Sequence, residues 1–195
     1  MSEKSLNNSK PAVFLDRDGT INEDLDHVFQ KERLILIKGA ASAIGDLNRA
    51  GYLVIVVTNQ SCIGRGFATT NQVNETNEHL QYILLKEDDN AHIAEFKVAP
   101  DHPDKASSRR KPGPGMIFEA VKDFNISLSD SWIIGDKKSD PESGYNAGIP
   151  GNQCILLKSG DEKKESLDSD ISKPDFRISE SLREAVDIYI LKRSQ

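Results

Sequence analysis

The stretch Val13-Phe14-Leu15-Asp16-Arg17-Asp18-Gly19-Thr20 sets two carboxylates two positions apart, where an apolar run stops. Residues i and i+2 of an extended chain point the same way, so Asp16 and Asp18 can face one site. Carboxylates held that close repel, and they settle by sharing a proton or by binding a cation. Other apolar runs end in comparable groups: residues 53–57 give way to Thr58-Asn59-Gln60, and residues 131–134 give way to Gly135-Asp136. Arg109-Arg110-Lys111 supplies a cationic arm. Carboxylate oxygens are the ligands that a hard cation such as Mg2+ takes, and that ion commonly also holds substrate phosphate. Phosphoryl transfer asks for little beyond positioning and neutralisation of oxygen charge. The expectation is a phosphoryl-transfer site with a cation between Asp16 and Asp136.

Such groups meet only if the strands carrying them run parallel and end on one edge of a sheet. Residues 12–15 read as a short strand, 22–31 as a polar loop, and 34–37 as a further short strand or extended segment. Residues 40–50 have helical spacing at Ala40, Ile44 and Leu47, with Gly51 as terminator. Residues 53–57 are a continuous apolar run, as expected of a parallel strand buried on both faces. A helix is predicted over 71–85 with Thr70 as its cap, and a third strand over 94–98. Residues 99–115 are rich in Pro, Gly, Ser and basic side chains and read as an irregular loop. Helices over 116–124 and 139–147 and strands over 131–134 and 153–157 follow. A charged connector spans 160–174, and an amphipathic helix over 180–192 aligns Leu182, Val186 and Ile190. The alternation predicts an α/β fold, a parallel sheet with helices on both faces. Residues 1–10 read as disordered and 11–195 as one domain.

The 195 residues carry a net charge of -6, which argues against a general nucleic-acid or membrane-surface binder. One local basic cluster is enough to hold a small phosphorylated substrate. No apolar run approaches the ~20 residues that span a bilayer, and "MSEKSLNNSK" lacks the apolar core of a secretory signal. A cytoplasmic monomer is expected. The only cysteines, Cys62 and Cys154, exclude a disulfide framework and a zinc site built mainly of thiolates.

"LDRDGT", "VVTNQS", "RRKPGPGM" and "IIGDKKSD", in that order, resemble the four motifs of the haloacid dehalogenase (HAD) phosphohydrolases. "DRDGTIN", "TNQSCIGRGF" and "RKPGPGM" most resemble the D,D-heptose 1,7-bisphosphate phosphatases, relatives of the histidinol-phosphatases. The resemblance implies a Rossmann-like sheet with a minimal cap and removal of the 7-phosphate, on the way to nucleotide-activated heptose for lipopolysaccharide or other surface glycans. It implies that Asp16 attacks phosphorus and that Asp18 serves as general acid, then base. It implies Mg2+ held by Asp16, the main-chain carbonyl of Asp18 and Asp136. Thr58 and Lys111 would hold the transferring oxygens. The stretches from Asp24 to His27 and from Thr58 through Asn59 and Gln60 to Ser61 would line the substrate. Arg110 would meet its remote part and Lys137 its phosphate edge, while Asp140 would orient Lys111 or a metal-bound water.

The zinc loop of that family, Cys-x-His … Cys-x-Cys, has no counterpart here, because its positions read Ala99, Asp101, Ser107 and Arg109. Zinc is therefore not expected, and hydrogen bonds with Pro112 and Pro114 would have to shape the loop. Two alternatives remain open at this point: a histidinol-phosphatase or other small sugar phosphatase, and a phospho-accepting module of receiver type. Receivers lack the Asp-x-Asp pair on the first strand.

Overall fold

A computed structural model describes residues 9–158 and 175–193. The expected connector over 160–174 and the first eight residues of the expected disordered terminus lie outside the described residues. Lys10, at the end of that terminus, is tied down: its amide donates to the carbonyl of Asn125, and its carbonyl accepts from Ser127.

The strands are β1 (Ala12–Leu15), β2 (Leu53–Asn59), β3 (Glu95–Ala99), β4 (Trp132–Gly135), β5 (Cys154–Leu157) and β6 (Arg177–Ser179). They form one sheet in the order β3-β2-β1-β4-β5-β6, and every pairing is parallel. The chain thus builds outward from β1 in one direction, then returns to its other side. That reversal beside β1 is where an open α/β sheet presents a crevice for ligands.

Parallel strands covered on both faces must be apolar at every position, and β1 is fully buried throughout. Its side chains divide by alternation. Val13 and Leu15 join a core with Val54, Val56, Ile134 and Ile155, whereas Ala12 and Phe14 join a second core with Ile55, Val57 and Ile133. The first core is closed by α1 (Ala40–Arg49), α3 (Thr70–Glu87) and α6 (Leu182–Ala185), the second by α4 (Gly115–Phe124) and α5 (Ser139–Ala147). None of the helices is long and apolar enough to cross a membrane among the described residues.

Several boundaries differ from expectation for local reasons. The cap of α3 is Thr69, not Thr70: its side chain accepts from the amide of Gln72, whose own side chain returns to the Thr69 amide. Residues 34–37 form no ladder. They are an extended segment bonded to the 21–23 stretch, Glu23 donating to Ile35 and Ile37 to Ile21. The C-terminal helix starts at Leu182, with Ser181 capping the amide of Glu184, and continues from Val186 as a wider π-helical turn to Ile190. The one-turn α2 (Ser61–Gly64) and the edge strand β6 are additions.

The loop over 100–114 is shaped by hydrogen bonds at the positions discussed above. The Asp101 carboxylate accepts from the Ser107 amide at 3.0 Å, and Ser107 Oγ accepts from the Arg109 amide at 3.2 Å. The Arg109 side chain pairs with Glu119 of α4 at 2.8 Å.

Candidate active site

Because β1, β2 and β4 are adjacent and parallel, Asp16, Thr58 and Asp136 leave the sheet at one edge, as the sequence implied. The Asp16 amide still donates to the carbonyl of Ile134, so the first carboxylate is set by the ladder itself. After it the chain turns sharply, with the amides of Ile21 and Asn22 both donating to Arg17. Gly19 makes the turn at φ +83°, and a Cβ there would come within 2.2 Å of Asp136 Oδ2. Glycine therefore serves both the left-handed backbone and the space in front of Asp136.

Lys111 holds the floor together. Its Nζ donates to Asp16 Oδ1 at 2.8 Å and to the Val57 carbonyl at 2.7 Å, and it pairs with Asp140 Oδ1 at 2.7 Å. Burial pulls the ammonium toward neutrality, but the charges of Asp140 and Asp16 outweigh it and keep the lysine protonated. Asn59 fixes the backbone behind it, accepting from the Lys111 amide at 3.0 Å and donating to its carbonyl at 3.1 Å.

Carboxylate oxygens of Asp16, Asp136 and Asp140 lie within 4.8 Å of one another, and among the described residues this is the one cluster of three or more His, Cys, Asp or Glu able to hold a metal ion. Lys111 contacts two of the three, Asp16 and Asp140, and the Lys137 charge acts on Asp136 from the cavity wall. Burial pushes Asp16 up to about 6, with Lys111 opposing and Asp140 adding to the rise. Burial pushes Asp136 up to about 7, with the charges of Asp16 and Asp140 adding. Asp136 Oδ1 is buried and makes no hydrogen bond in the structure. An oxygen-rich, anionic cluster with an unsatisfied oxygen fits a hard divalent cation.

Asp18 is held by a separate set of contacts. Arg17 grips both of its oxygens, Asn22 Nδ2 donates to Oδ1 at 2.8 Å, and Gln60 Nε2 donates to Oδ2 at 2.8 Å. Burial pushes this carboxyl up, but the Arg17 charge and these hydrogen bonds win and hold it below its usual range. Gln60 also donates to Thr58 Oγ1 at 3.0 Å.

A cavity of about 350 Å3 opens over this floor. Asp18, Asn59, Gln60, Ser61 and Lys111 line its depth; Asp24, Asp26, His27, Arg110, Lys137 and Ser139 complete the wall. The sequence-derived set is thus brought together, except that Asp16, Thr58 and Asp136 are buried and do not themselves line the cavity; Asp16 is joined to the lining through Lys111 and Thr58 through Gln60. Two assignments are refined: the amides of Asn59 and Gln60 reach the cavity but are already committed to Lys111 and to Asp18 and Thr58. Across the mouth, Lys137 Nζ pairs with Asp24 at 2.9 Å. Asp26 and His27 hold left-handed backbone at φ 56° and 54°, and the His27 ring packs on Phe67 with centroids 5.8 Å apart. Arg110 Nη1 donates to the Asp101 carbonyl at 3.2 Å, so the braced loop aims it. Ser139 was missed, although its place just behind Asp136 at the start of a helix was a usable signal. The clustering of Asp140 with the other carboxylates, beyond its supporting role, also escaped the sequence.

Residues 108–185 match the family described as HAD-hydrolase-like. A D-glycero-beta-D-manno-heptose-1,7-bisphosphate 7-phosphatase of Rhodopseudomonas palustris is 39% identical over 149 residues, covering 73% of this chain and 82% of that protein. A D-glycero-D-manno-heptose-1,7-bisphosphate 7-phosphatase of Chlorobaculum tepidum is 34% identical over 94% of this chain and 96% of its own length. Among solved structures, D,D-heptose 1,7-bisphosphate phosphatase from B. bronchiseptica, complexed with magnesium and phosphate, superposes with a TM-score of 0.83 at 25% identity, covering 94% of this chain and 99% of that one. With strand order, motif placement and relatives in agreement, the chain belongs to the heptose-1,7-bisphosphate 7-phosphatase family of HAD-like phosphatases.

Proposed function

We propose that this chain removes the 7-phosphate of D-glycero-D-manno-heptose 1,7-bisphosphate in two steps. An oxygen of Asp16 attacks phosphorus, forming an aspartyl-phosphate as the bond from phosphorus to the sugar oxygen breaks. Asp18, ionised in the substrate-free site, takes up a proton as the negatively charged phosphate enters beside it and gives that proton to the oxygen as it leaves. Asp18 then takes a proton from a water that attacks phosphorus, and the bond to Asp16 breaks to release phosphate. Lys111 and Thr58 steady the transferring oxygens. Asp16, Asp136 and the main-chain carbonyl of Asp18 would hold Mg2+, which supplies charge neutralisation to the phosphoryl oxygens. The sugar lies against Asp24, His27 and Ser61, with Arg110 toward its remote part and Lys137 toward its phosphate edge.

The observation that carries this reading is the junction of Asp16, Lys111 and Asp140 beneath a cavity whose rim mixes acids and cations. It suits a polyhydroxylated substrate with phosphate at its ends. The test is phosphate release across a substrate panel. The heptose bisphosphate is expected to exceed histidinol phosphate in kcat/KM by about a hundredfold or more. Comparable values would overturn the substrate, and a phosphoenzyme that persists for minutes would overturn the enzymatic reading.

A further inference from the structure

Between Asp16 and Asp18 stands a side chain for which the reaction above has no task. Arg17 does not line the cavity, and its side chain is fully buried. A buried guanidinium is costly unless its donors are met. Here they are met by three separate parts of the chain. Nε and Nη2 take the two oxygens of Asp18 at 3.1 and 2.9 Å, Nη1 donates to Asn77 Oδ1 at 2.9 Å, and Nη2 also reaches the Val28 carbonyl. Asn77 is itself anomalous. It is 3% exposed on the inward face of α3 beside Val73, Leu80 and Leu84, where an apolar residue would ordinarily stand. Val28 directly follows His27 on the cavity wall.

We propose that Arg17, braced by Asn77, is a positioning residue that fixes the Asp18 carboxylate relative to the wall segment 24–28 and to α3, so that the proton of Asp18 is aimed at the leaving sugar oxygen. A planar fork sets orientation as well as distance, which a lysine at this position could not do. Gln60 and Asn22 also hold Asp18, but of the three only Arg17 carries the connection on to Val28 and Asn77. The inference rests on the assignment of Asp18 as the group that protonates the leaving oxygen.

Leaving-group dependence separates positioning from general structural support. The p-nitrophenolate of p-nitrophenyl phosphate departs without a proton, whereas a sugar alkoxide needs one, and kcat/KM reports the steps up to phosphoryl transfer. Asn77→Leu, which removes the acceptor at similar volume, is expected to lower kcat/KM for the heptose bisphosphate by about tenfold or more. On p-nitrophenyl phosphate it should change by no more than about twofold. Asn77→Asp keeps the acceptor and should restore both values. Equal losses on the two substrates, or an Asn77→Asp variant as impaired as Asn77→Leu, would overturn the inference. Asn77→Ala carries the same expectation and covers the case in which leucine is not tolerated in the packed interior. Asp18→Asn is the reference. If it loses activity equally on both substrates, the assigned role of Asp18 fails and the inference fails with it; if it discriminates and the Asn77 variants do not, only the inference fails.

Discussion

At the scale of single residues, the site is a problem of charge. Asp16 and Asp136 hold their protons more tightly in the folded chain than in an unfolded one, at about 6 and about 7 against 3.8. The stability linked to those protons is present at low pH and is lost as pH rises through the two folded values. In the absence of metal, the melting temperature should therefore fall between pH 5 and pH 8, by an amount equivalent to on the order of a few kcal/mol. Saturating Mg2+ should recover most of that loss at pH 8 and little of it at pH 5, which differential scanning fluorimetry can follow. Asp136→Asn tests the same account from the other side. It removes a carboxylate that has an unsatisfied oxygen, so the metal-free variant should melt higher than wild type at pH 8 and respond weakly to Mg2+. A lower melting point would count against the repulsion. Asp16→Asn should abolish turnover, measured as phosphate release, while the circular dichroism spectrum is unchanged.

At the scale of elements, the loop over 100–114 shows how one set of contacts can do the work of another. Asp101 bonds Ser107 through its carboxylate and Arg110 through its carbonyl, so the same residue braces the loop and aims the cation. Asp101→Ala should raise KM for the heptose bisphosphate severalfold and leave kcat nearly unchanged, and a zinc-selective chelator should leave wild-type kinetics unaltered. In the same way, Thr69→Ala should cost about 1 kcal/mol in a denaturant titration by removing the cap of α3. These elements also mark the limits of the sequence. The strands β1, β2 and β4 were legible because each is a solid apolar run that halts at a polar rim, and that pattern alone brought Asp16, Thr58 and Asp136 to one edge. Three residues of β6 around Ile178, and the single turn of α2, are too short to carry any periodicity. The commitments of Asn59 and Gln60 to neighbouring groups depend on packing between distant segments, which no local pattern encodes. The Arg17–Asn77 contact spans 60 residues and lies in the same category.

At the scale of the whole molecule, two kinds of cohesion meet. The sheet is held by burial on both faces, whereas the C-terminal segment, which buries Leu182, Ala185, Val186 and Ile190 in the first core, is in addition clasped to α1 by charge. Asp46 pairs with Arg49 at 2.7 Å, with Arg183 at 2.9 Å and with Arg193 at 2.5 Å, while Arg49 reaches across to Asp88 at 2.8 Å. Hydrogen bonds from Arg193 and from Arg49 and Arg183 hold the Asp46 carboxyl far below its usual range against its burial. Such pairs weaken in salt, and apolar burial does not. Amide exchange should therefore divide the molecule. In Asp46→Ala, protection over 182–190 should drop and protection over β1 should stay as in wild type; a uniform loss would mean that the clasp and the sheet open as one unit.

The position of β1 has a consequence for how this protein could change. Asp16, the proposed nucleophile, sits at the end of a fully buried strand, between β2 and β4, and nothing there can be altered without disturbing two cores. Apart from Ser61 and Lys137, the groups that would meet the sugar lie on the 22–30 and 100–114 stretches, whose exposed parts are fastened largely by replaceable polar contacts. Chemistry and choice of partner molecule are thereby mounted on separate parts. New substrates can be reached by redrawing the walls while the floor is left alone, and a library aimed at retargeting the enzyme should vary the former and spare the latter.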